Sequence, residues 1–124
     1  MPLSERTKSR IYETVWHLTR QKDVEGFKVG FTAKGILKRF YPRKKYEGYE
    51  HIVALADNLK RDDALDLEKE IHEWAAREAK TLRGETHVYK KYVHKDIRWK
   101  FSRGHGGNAN SRCHSVYMVW WERE

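Results

Sequence analysis

The strongest constraint on the fold is a helical pattern of apolar residues in the middle of the chain. Six apolar residues between positions 61 and 82 recur at spacings of three and four, so one face of a long helix needs a packing partner. Three segments rich in β-branched and aromatic residues, at 27 to 31, 49 to 56 and 115 to 121, are typical of strands and predict a sheet as that partner. The six residues of the helical pattern are Ala64, Leu67, Ile71, Trp74, Ala75 and Ala79.

The segments before this helix predict a hairpin followed by a short helix. Residues 14 to 19 are rich in β-branched and aromatic types and predict a first strand. The charged segment 21 to 26 ends in glycine, which indicates a turn that pairs this strand with the one at 27 to 31. Thr32 is predicted to cap a short helix over residues 33 to 41.

Together these elements predict an α+β fold, a small mixed β-sheet flanked by helices, with a β-rich C-terminal extension. A chain of 124 residues can bury one modest core, so a single domain over 1 to 124 is expected. Its core is predicted over residues 11 to 82, and Gly84 is predicted to cap the end of the long helix. The extension over 83 to 124 is predicted to add short strands near 88 to 93 and 97 to 101.

The charge of the chain favours a polyanionic partner, with DNA or another nucleic acid as the first candidate. The formal net charge is +8, from 26 basic and 18 acidic residues. A solubilising surface charge is the alternative, but the basic residues are clustered and interleaved with aromatic side chains, which suits phosphate contact combined with base stacking. The first cluster comprises Lys34, Lys38, Arg39, Arg43, Lys44 and Lys45, and the second includes Lys90, Lys91, Lys100 and Arg103.

The cellular setting is predicted from cysteine usage and hydropathy. A single cysteine, Cys113, cannot form an internal disulfide. No leader-like segment precedes the first predicted element, and no apolar run reaches the roughly 20 residues of a membrane-spanning helix. We therefore expect a bacterial or phage-infected host cytoplasm and no membrane partner.

Two motifs in this order give the chain a resemblance to a known family. The first motif is Lys28-Val29-Gly30-Phe31-Thr32, with Arg39 nine residues after its glycine, and the second is Leu67-Glu68-Lys69-Glu70-Ile71-His72 on the long helix. In this order they resemble the GIY-YIG nuclease superfamily, and in particular its phage and bacterial branch with a Lys-Ile-Gly-x-Thr second motif and a Leu-Glu-x-x-x-His helix. The resemblance covers roughly residues 13 to 80.

The resemblance implies a small endonuclease that hydrolyses DNA phosphodiesters with Mg²⁺ or Mn²⁺. Glu68 would hold the metal ion, which suits Mg²⁺ because this ion keeps several waters and takes only one or two carboxylates. Arg39 would stabilise charge that builds on the phosphate. Lys28 would orient or acidify the attacking water, and His72 would reach a phosphate oxygen or the leaving group. Specificity in so small a nuclease would come from DNA structure, a short site or formation of a homodimer.

The chain departs from the family at the first motif. The Gly-Ile-Tyr of the family corresponds by position to Thr14-Val15-Trp16, and Trp16 has no oxygen to replace the tyrosine that is usually assigned as general base. A shift of one residue makes His17 the candidate base. Adjacent strand residues face opposite sides, so Trp16 and His17 could not both face the site.

This departure leaves a second hypothesis open: a catalytically degenerate scaffold that binds nucleic acid or blocks a partner protein in phage-host conflict. Glu68 would then pair with Arg39, or with Arg61 or Lys69 as an ordinary surface carboxylate. His72 would be a partly buried structural histidine. A nuclease, by contrast, needs Glu68 in a cleft with room for a hydrated metal ion.

Overall fold

The computed structural model describes residues 3–33, 50–78, 80–81, 84–93 and 112–122, and it shows an α+β fold. The described elements follow one another as a long helix, two strands, a second helix, a small hairpin, a short helix and a final strand. In chain order they are α1 (Glu5–Arg20), β1 (Val24–Thr32), β2 (His51–Leu59), α2 (Arg61–Glu73) continued by a π-helical turn (Trp74–Glu78), β3 (Lys80–Thr81), β4 (Gly84–Glu85), α3 (His87–Lys91) and β5 (His114–Glu122).

The first element is a helix, so the strand predicted at 14 to 19 and its hairpin with 27 to 31 are wrong. Ile11 and Val15 are buried one turn apart, and Leu18 packs against the same core. This spacing of four and three is the helical period, and it outweighs the β-propensity of the side chains once one face is buried. Thr19 adapts to the buried face by donating its hydroxyl to the carbonyl of Val15 at 2.7 Å.

The start of α1 provides a direct test of this assignment. The Ser4 side chain accepts a hydrogen bond from the backbone N–H of Thr7 at 3.2 Å, and therefore caps the helix. We expect Ser4→Ala to lower the free energy of unfolding by about 1 kcal/mol, measured by urea denaturation. Ser9→Ala, at an exposed position within the helix, is the matched control and should be neutral or slightly stabilising. Equal effects of the two changes would contradict the cap.

The described sheet has three strands in the order β1-β5-β2, and both neighbouring pairs are antiparallel. One isolated parallel bridge joins Phe27 to Tyr92 at the outer edge of β1. The strands predicted at 27 to 31 and 115 to 121 are confirmed, and the one predicted at 49 to 56 is confirmed from His51 onward, since residue 49 lies outside the described residues. The predicted C-terminal extension therefore supplies the central strand of the sheet rather than an addition to it.

The two faces of the sheet pack against different residues. Val116 and Met118 on β5 belong to the main core together with Phe27, Val29 and the apolar face of α2. Tyr117 and Val119 alternate with them and form a second cluster on the opposite face, with Ile52 and Trp121 packed beside them. The helices thus cover one face of the sheet, and the second cluster marks the other face.

The region after α2 differs from the prediction in two respects. The segment predicted as a strand at 88 to 93 begins as the helix α3, because the Thr86 side chain accepts a hydrogen bond from the N–H of Tyr89 and caps it. Gly84 lies in the two-stranded β3–β4 sheet rather than at a helix end. The helix predicted over 33 to 41, apart from its first residue, and the strand predicted over 97 to 101 lie outside the described residues.

Two lysine side chains hold α1 in place. Lys8 Nζ lies 3.0 Å from Oε2 of Glu70, which joins α1 to α2. Lys91 Nζ donates to the carbonyls of Thr19 and Gln21 at 2.6 and 2.9 Å, and these carbonyls lie at the end of α1 where the helix offers them no partner. Lys91, assigned above to the second basic cluster, therefore has a structural partner. Within the described part of the chain, no helix combines the length and apolar character needed to cross a membrane.

Candidate functional site

Four of the predicted site residues lie in the described part of the chain: His17, Lys28, Glu68 and His72. Arg39 lies outside it, so its contact with phosphate stays a prediction. The same holds for the predicted nucleic-acid contacts Lys34, Lys38, Arg43, Lys44, Lys45, Lys100 and Arg103.

Glu68 is the most unusual of these residues because its carboxyl group is buried and has no ion-pair partner within the described part of the chain. It lies on α2, its side chain is only 3% exposed, and its Oε2 has no hydrogen-bond partner among the described residues. Burial raises its pKa from 4.5 to about 7, since a desolvated carboxyl favours its neutral form. Among the described residues it forms no ion pair, so the expected pairing with Arg61 or Lys69 is wrong.

His72 lies one turn after Glu68, and its ring contacts a tyrosine that the sequence interpretation did not assign to the site. His72 Nδ1 is 2.7 Å from the hydroxyl oxygen of Tyr92, and burial lowers the pKa of this imidazole. Burial also raises the pKa of Tyr92, and the nearby Glu68 adds to that shift. We call Glu68, His72 and Tyr92 the carboxyl cluster.

The carboxyl cluster lies beside the outer edge of β1. The rings of Tyr92 and Phe27 are 5.1 Å apart, and the N–H of Val93 donates to the carbonyl of Phe27 at 3.1 Å. Tyr92 therefore reaches the cluster because the end of α3 attaches to this edge. A contact of this kind joins residues far apart in sequence, and no local pattern around Tyr92 signals it.

His17 does not lie on a strand beside Lys28. It is an exposed residue of α1, and its neighbour Trp16 packs its ring on the ring of His87, with the centroids 4.3 Å apart. Nε2 of His87 also lies 2.9 Å from the carbonyl oxygen of Trp16. Because residues 14 to 19 are helical, neither Trp16 nor His17 lies on the strand where the resemblance places the first motif.

The strand that pairs with β1 carries a different candidate, Tyr117. Gly30 and Tyr117 lie directly opposite each other in the antiparallel register, and Lys28 lies opposite Val119 on the same face. A Cβ on Gly30 would lie 2.6 Å from the hydroxyl oxygen of Tyr117, so the absence of a side chain at Gly30 lets this phenol lie across β1. Tyr117 is 6% exposed.

The signal that identifies Tyr117 in the sequence is the triplet Ser115-Val116-Tyr117. It has the spacing of the family's Gly-Ile-Tyr, but it comes after the other motifs instead of before them. The central residue, Val116, faces the main core, and the two outer residues face the other side. The sequence interpretation did not predict this triplet, because it follows the other motifs in the chain.

The structure brings these residues together as two groups rather than as one site. Lys28 lies between Phe27 and Val29, which both face the helices, so strand alternation places Lys28 on the other face with Tyr117. The carboxyl cluster lies on the helical face. β1 therefore separates Lys28 and Tyr117 from Glu68 and His72, and the strand is the element that both groups share.

No family model, no curated protein and no solved structure matches the chain. Any assignment of function therefore depends on the residues themselves and on the resemblance of their motifs.

Proposed function

We propose that the protein is a small Mg²⁺-dependent DNA endonuclease of the GIY-YIG type, in which β5 supplies the tyrosine-bearing first strand. The observation that carries the proposal is the position of Tyr117, directly opposite Gly30 and on the same face as Lys28. With this strand order, β5 would take the place of the neighbouring strand on which the resemblance puts the first motif. Only its place along the chain differs.

The roles follow from the chemistry of the side chains. The Tyr117 oxygen would orient the attacking water and, as the phenolate, accept its proton to become the phenol, which is the role that the resemblance assigns to the family's tyrosine. Lys28, two residues before Gly30 on β1, would hold the water or the phosphate by its positive charge. Positioning of this kind is the larger part of catalysis in phosphoryl transfer, where the protein does little covalent chemistry.

Glu68 fits the role of metal ligand by one criterion. Its buried Oε2 has no partner among the described residues, and burial raises its pKa, as expected for a desolvated carboxyl group. A bound Mg²⁺ would supply a counter-charge and act as a Lewis acid towards the phosphate. In this proposal the imidazole of His72, positioned by its Nδ1 contact with the Tyr92 hydroxyl, would contact an oxygen of the substrate.

The burial of Glu68 also favours a second candidate function, binding of nucleic acid without hydrolysis. A carboxyl group that is 3% exposed and divided from Lys28 by β1 is poorly placed to hold a hydrated ion beside Lys28. In this case the net charge of +8 would provide affinity for the phosphate backbone. Affinity of this origin falls steeply with salt and does not depend on Glu68.

The two functions are distinguished by measuring cleavage and binding on the same samples. Supercoiled plasmid is incubated with Mg²⁺ or Mn²⁺ and the wild-type protein, Lys28→Met or Glu68→Gln, and DNA affinity is measured at several salt concentrations. Glu25→Gln, which changes an exposed carboxylate on β1, is the matched control. The endonuclease is expected to nick plasmid, with loss of cleavage in Lys28→Met and Glu68→Gln but not in Glu25→Gln.

Each alternative result has a defined meaning. Absence of cleavage by the wild type, with DNA binding that weakens as salt rises, would favour the binding protein. Cleavage that survives Glu68→Gln would exclude Glu68 as the metal ligand. Loss of both cleavage and binding in every sample, the control included, would reject both functions.

A further inference from the structure

A second group of possible metal ligands lies away from both groups described above, where β2 begins and β5 ends. It consists of Glu50, His51 and Glu122, and one ligand atom from each residue lies within 4.8 Å of the others. Antiparallel pairing creates this group. His51 lies directly opposite Trp120, which places it diagonal to Glu122, within reach of a long side chain.

The backbone fixes the relative positions of the three residues. The N–H of Glu50 donates to the carbonyl of Trp120 at 3.1 Å, which extends the β2–β5 pairing by one residue. The N–H of Glu122 donates to Oε1 of Glu50 at 3.3 Å. Two carboxylates are therefore held at the same end of the sheet before any ion binds, so a ligand would have little ordering entropy to overcome.

The imidazole of His51 is also oriented. Its ring stacks on the indole of Trp120 with the centroids 5.2 Å apart and the planes at 27°. Nε2 lies 3.1 Å from Oε1 of Glu122, yet this nitrogen is shielded from solvent and has no hydrogen-bond partner among the described residues. A ring nitrogen that faces two carboxylates without a hydrogen bond is suited to a metal ion placed between them.

We propose that Glu50, His51 and Glu122 bind one divalent transition-metal ion, for which Zn²⁺ is the natural probe. One imidazole nitrogen and two carboxylate oxygens form a donor set that suits Zn²⁺, whereas Mg²⁺ prefers oxygen ligands alone. The separations of up to 4.8 Å need a small inward movement of the half-exposed side chains. The remaining coordination position is open to water.

This site is independent of the proposed nuclease centre. It uses none of Lys28, Glu68, His72 or Tyr117, and the bound ion would join β2 to β5 at the end of the sheet. An ion that binds the folded chain and not the unfolded chain stabilises it by mass action. The expected effects are therefore tight binding of one ion and a higher melting temperature, whether or not the protein cleaves DNA.

The test is isothermal titration of ZnCl₂ into full-length protein that has been dialysed against EDTA, with excess Mg²⁺ as competitor. The wild type should bind one Zn²⁺, and Mg²⁺ should not displace it. His51→Ala and Glu122→Gln should each weaken binding by about tenfold or more, since even changes in the groups that surround a metal's ligands cost this much. Circular dichroism checks that both variants fold.

Matched variants distinguish this site from adventitious binding and from Glu68. His17→Ala removes an exposed histidine of α1, and Glu25→Gln removes an exposed carboxylate of β1, so both should bind Zn²⁺ like the wild type. Glu68→Gln should also bind normally, even if it abolishes cleavage. The proposal is overturned if the wild type binds no Zn²⁺, if His51→Ala binds as tightly as the wild type, or if Glu68→Gln alone removes binding.

Discussion

Replacement of Tyr117 by phenylalanine is expected to slow plasmid cleavage by about 100-fold or more, since a positioned general base contributes on the order of 10² to 10⁴ to the rate. The change removes one hydroxyl oxygen and keeps the ring that lies over Gly30 and packs beside Val119. The fold and the affinity for DNA should therefore be preserved. Single-turnover cleavage with saturating protein measures the chemical step separately from binding.

Tyr12→Phe is the control for this experiment. Tyr12 is a partly exposed residue of α1 whose ring lies 4.8 Å from that of Trp74, remote from the Lys28 face of the sheet. Removal of the Tyr12 hydroxyl should leave the rate of plasmid cleavage unchanged. If Tyr117→Phe cleaves as fast as Tyr12→Phe, Tyr117 is not the base and the proposed role of β5 in catalysis is wrong.

The second large effect concerns the dependence of stability on pH. The pKa of Glu68 is about 7 in the folded chain against 4.5 as the ordinary value, so the folded state binds the extra proton between these limits. The contribution of Glu68 to the free energy of unfolding is therefore fully present below pH 4.5 and is lost as the pH rises through about 7. The difference between these two pKa values lowers the free energy of unfolding by about 3 kcal/mol at alkaline pH.

Glu68→Gln should remove this loss because the amide has nearly the same shape and never ionises. In EDTA, urea unfolding at about pH 8 should show the variant to be more stable than the wild type by up to about 3 kcal/mol, and at about pH 4, below the ordinary pKa of the carboxyl group, the two should be closely similar. Glu25→Gln, at an exposed site, should show no such difference. A wild type that is as stable as Glu68→Gln at alkaline pH would contradict the buried, unpaired carboxylate.

Adding Mg²⁺ to the same measurement connects stability with the proposed function. If Glu68 holds the ion, Mg²⁺ should restore part of the lost stability of the wild type at alkaline pH and leave Glu68→Gln unaffected, because ligands that bind only the folded state stabilise it. An equal response of both proteins would show that the ion binds elsewhere.

The parts of the fold that sequence predicted are those with a clear period. The apolar residues Leu67, Ile71 and Ala75 recur at helical spacing, and the strands at β1, β2 and β5 are short apolar runs bounded by polar segments. α1 was missed because Val15 and Trp16 favour strands by composition, although Ile11, Val15 and Leu18 follow the helical period. Where these two signals disagree, the period of the buried positions is the better guide, since tertiary burial outweighs intrinsic propensity.

The site was predictable only where it is local. Glu68 and His72 lie one turn apart on a helix, so their proximity follows from the sequence alone. Tyr92 reaches His72, and Tyr117 shares a face with Lys28, because segments that are distant in the sequence pair with each other. The spacing of residues along the chain does not reveal such pairing. The burial of Glu68 was equally hidden, because a carboxylate within a charged helix is normally exposed.

The central position of β5 has a further consequence for how the chain folds. β1 and β2 do not pair with each other, and among the described strands both pair with β5, while β1 has one further bridge to Tyr92. Fourteen residues of these two strands have partners on β5 that lie far along the chain, such as Ser115 for Thr32. High contact order of this kind slows folding and leaves strand edges exposed in the meantime. The newly made chain is therefore most prone to aggregate in the interval before its last strand is in place.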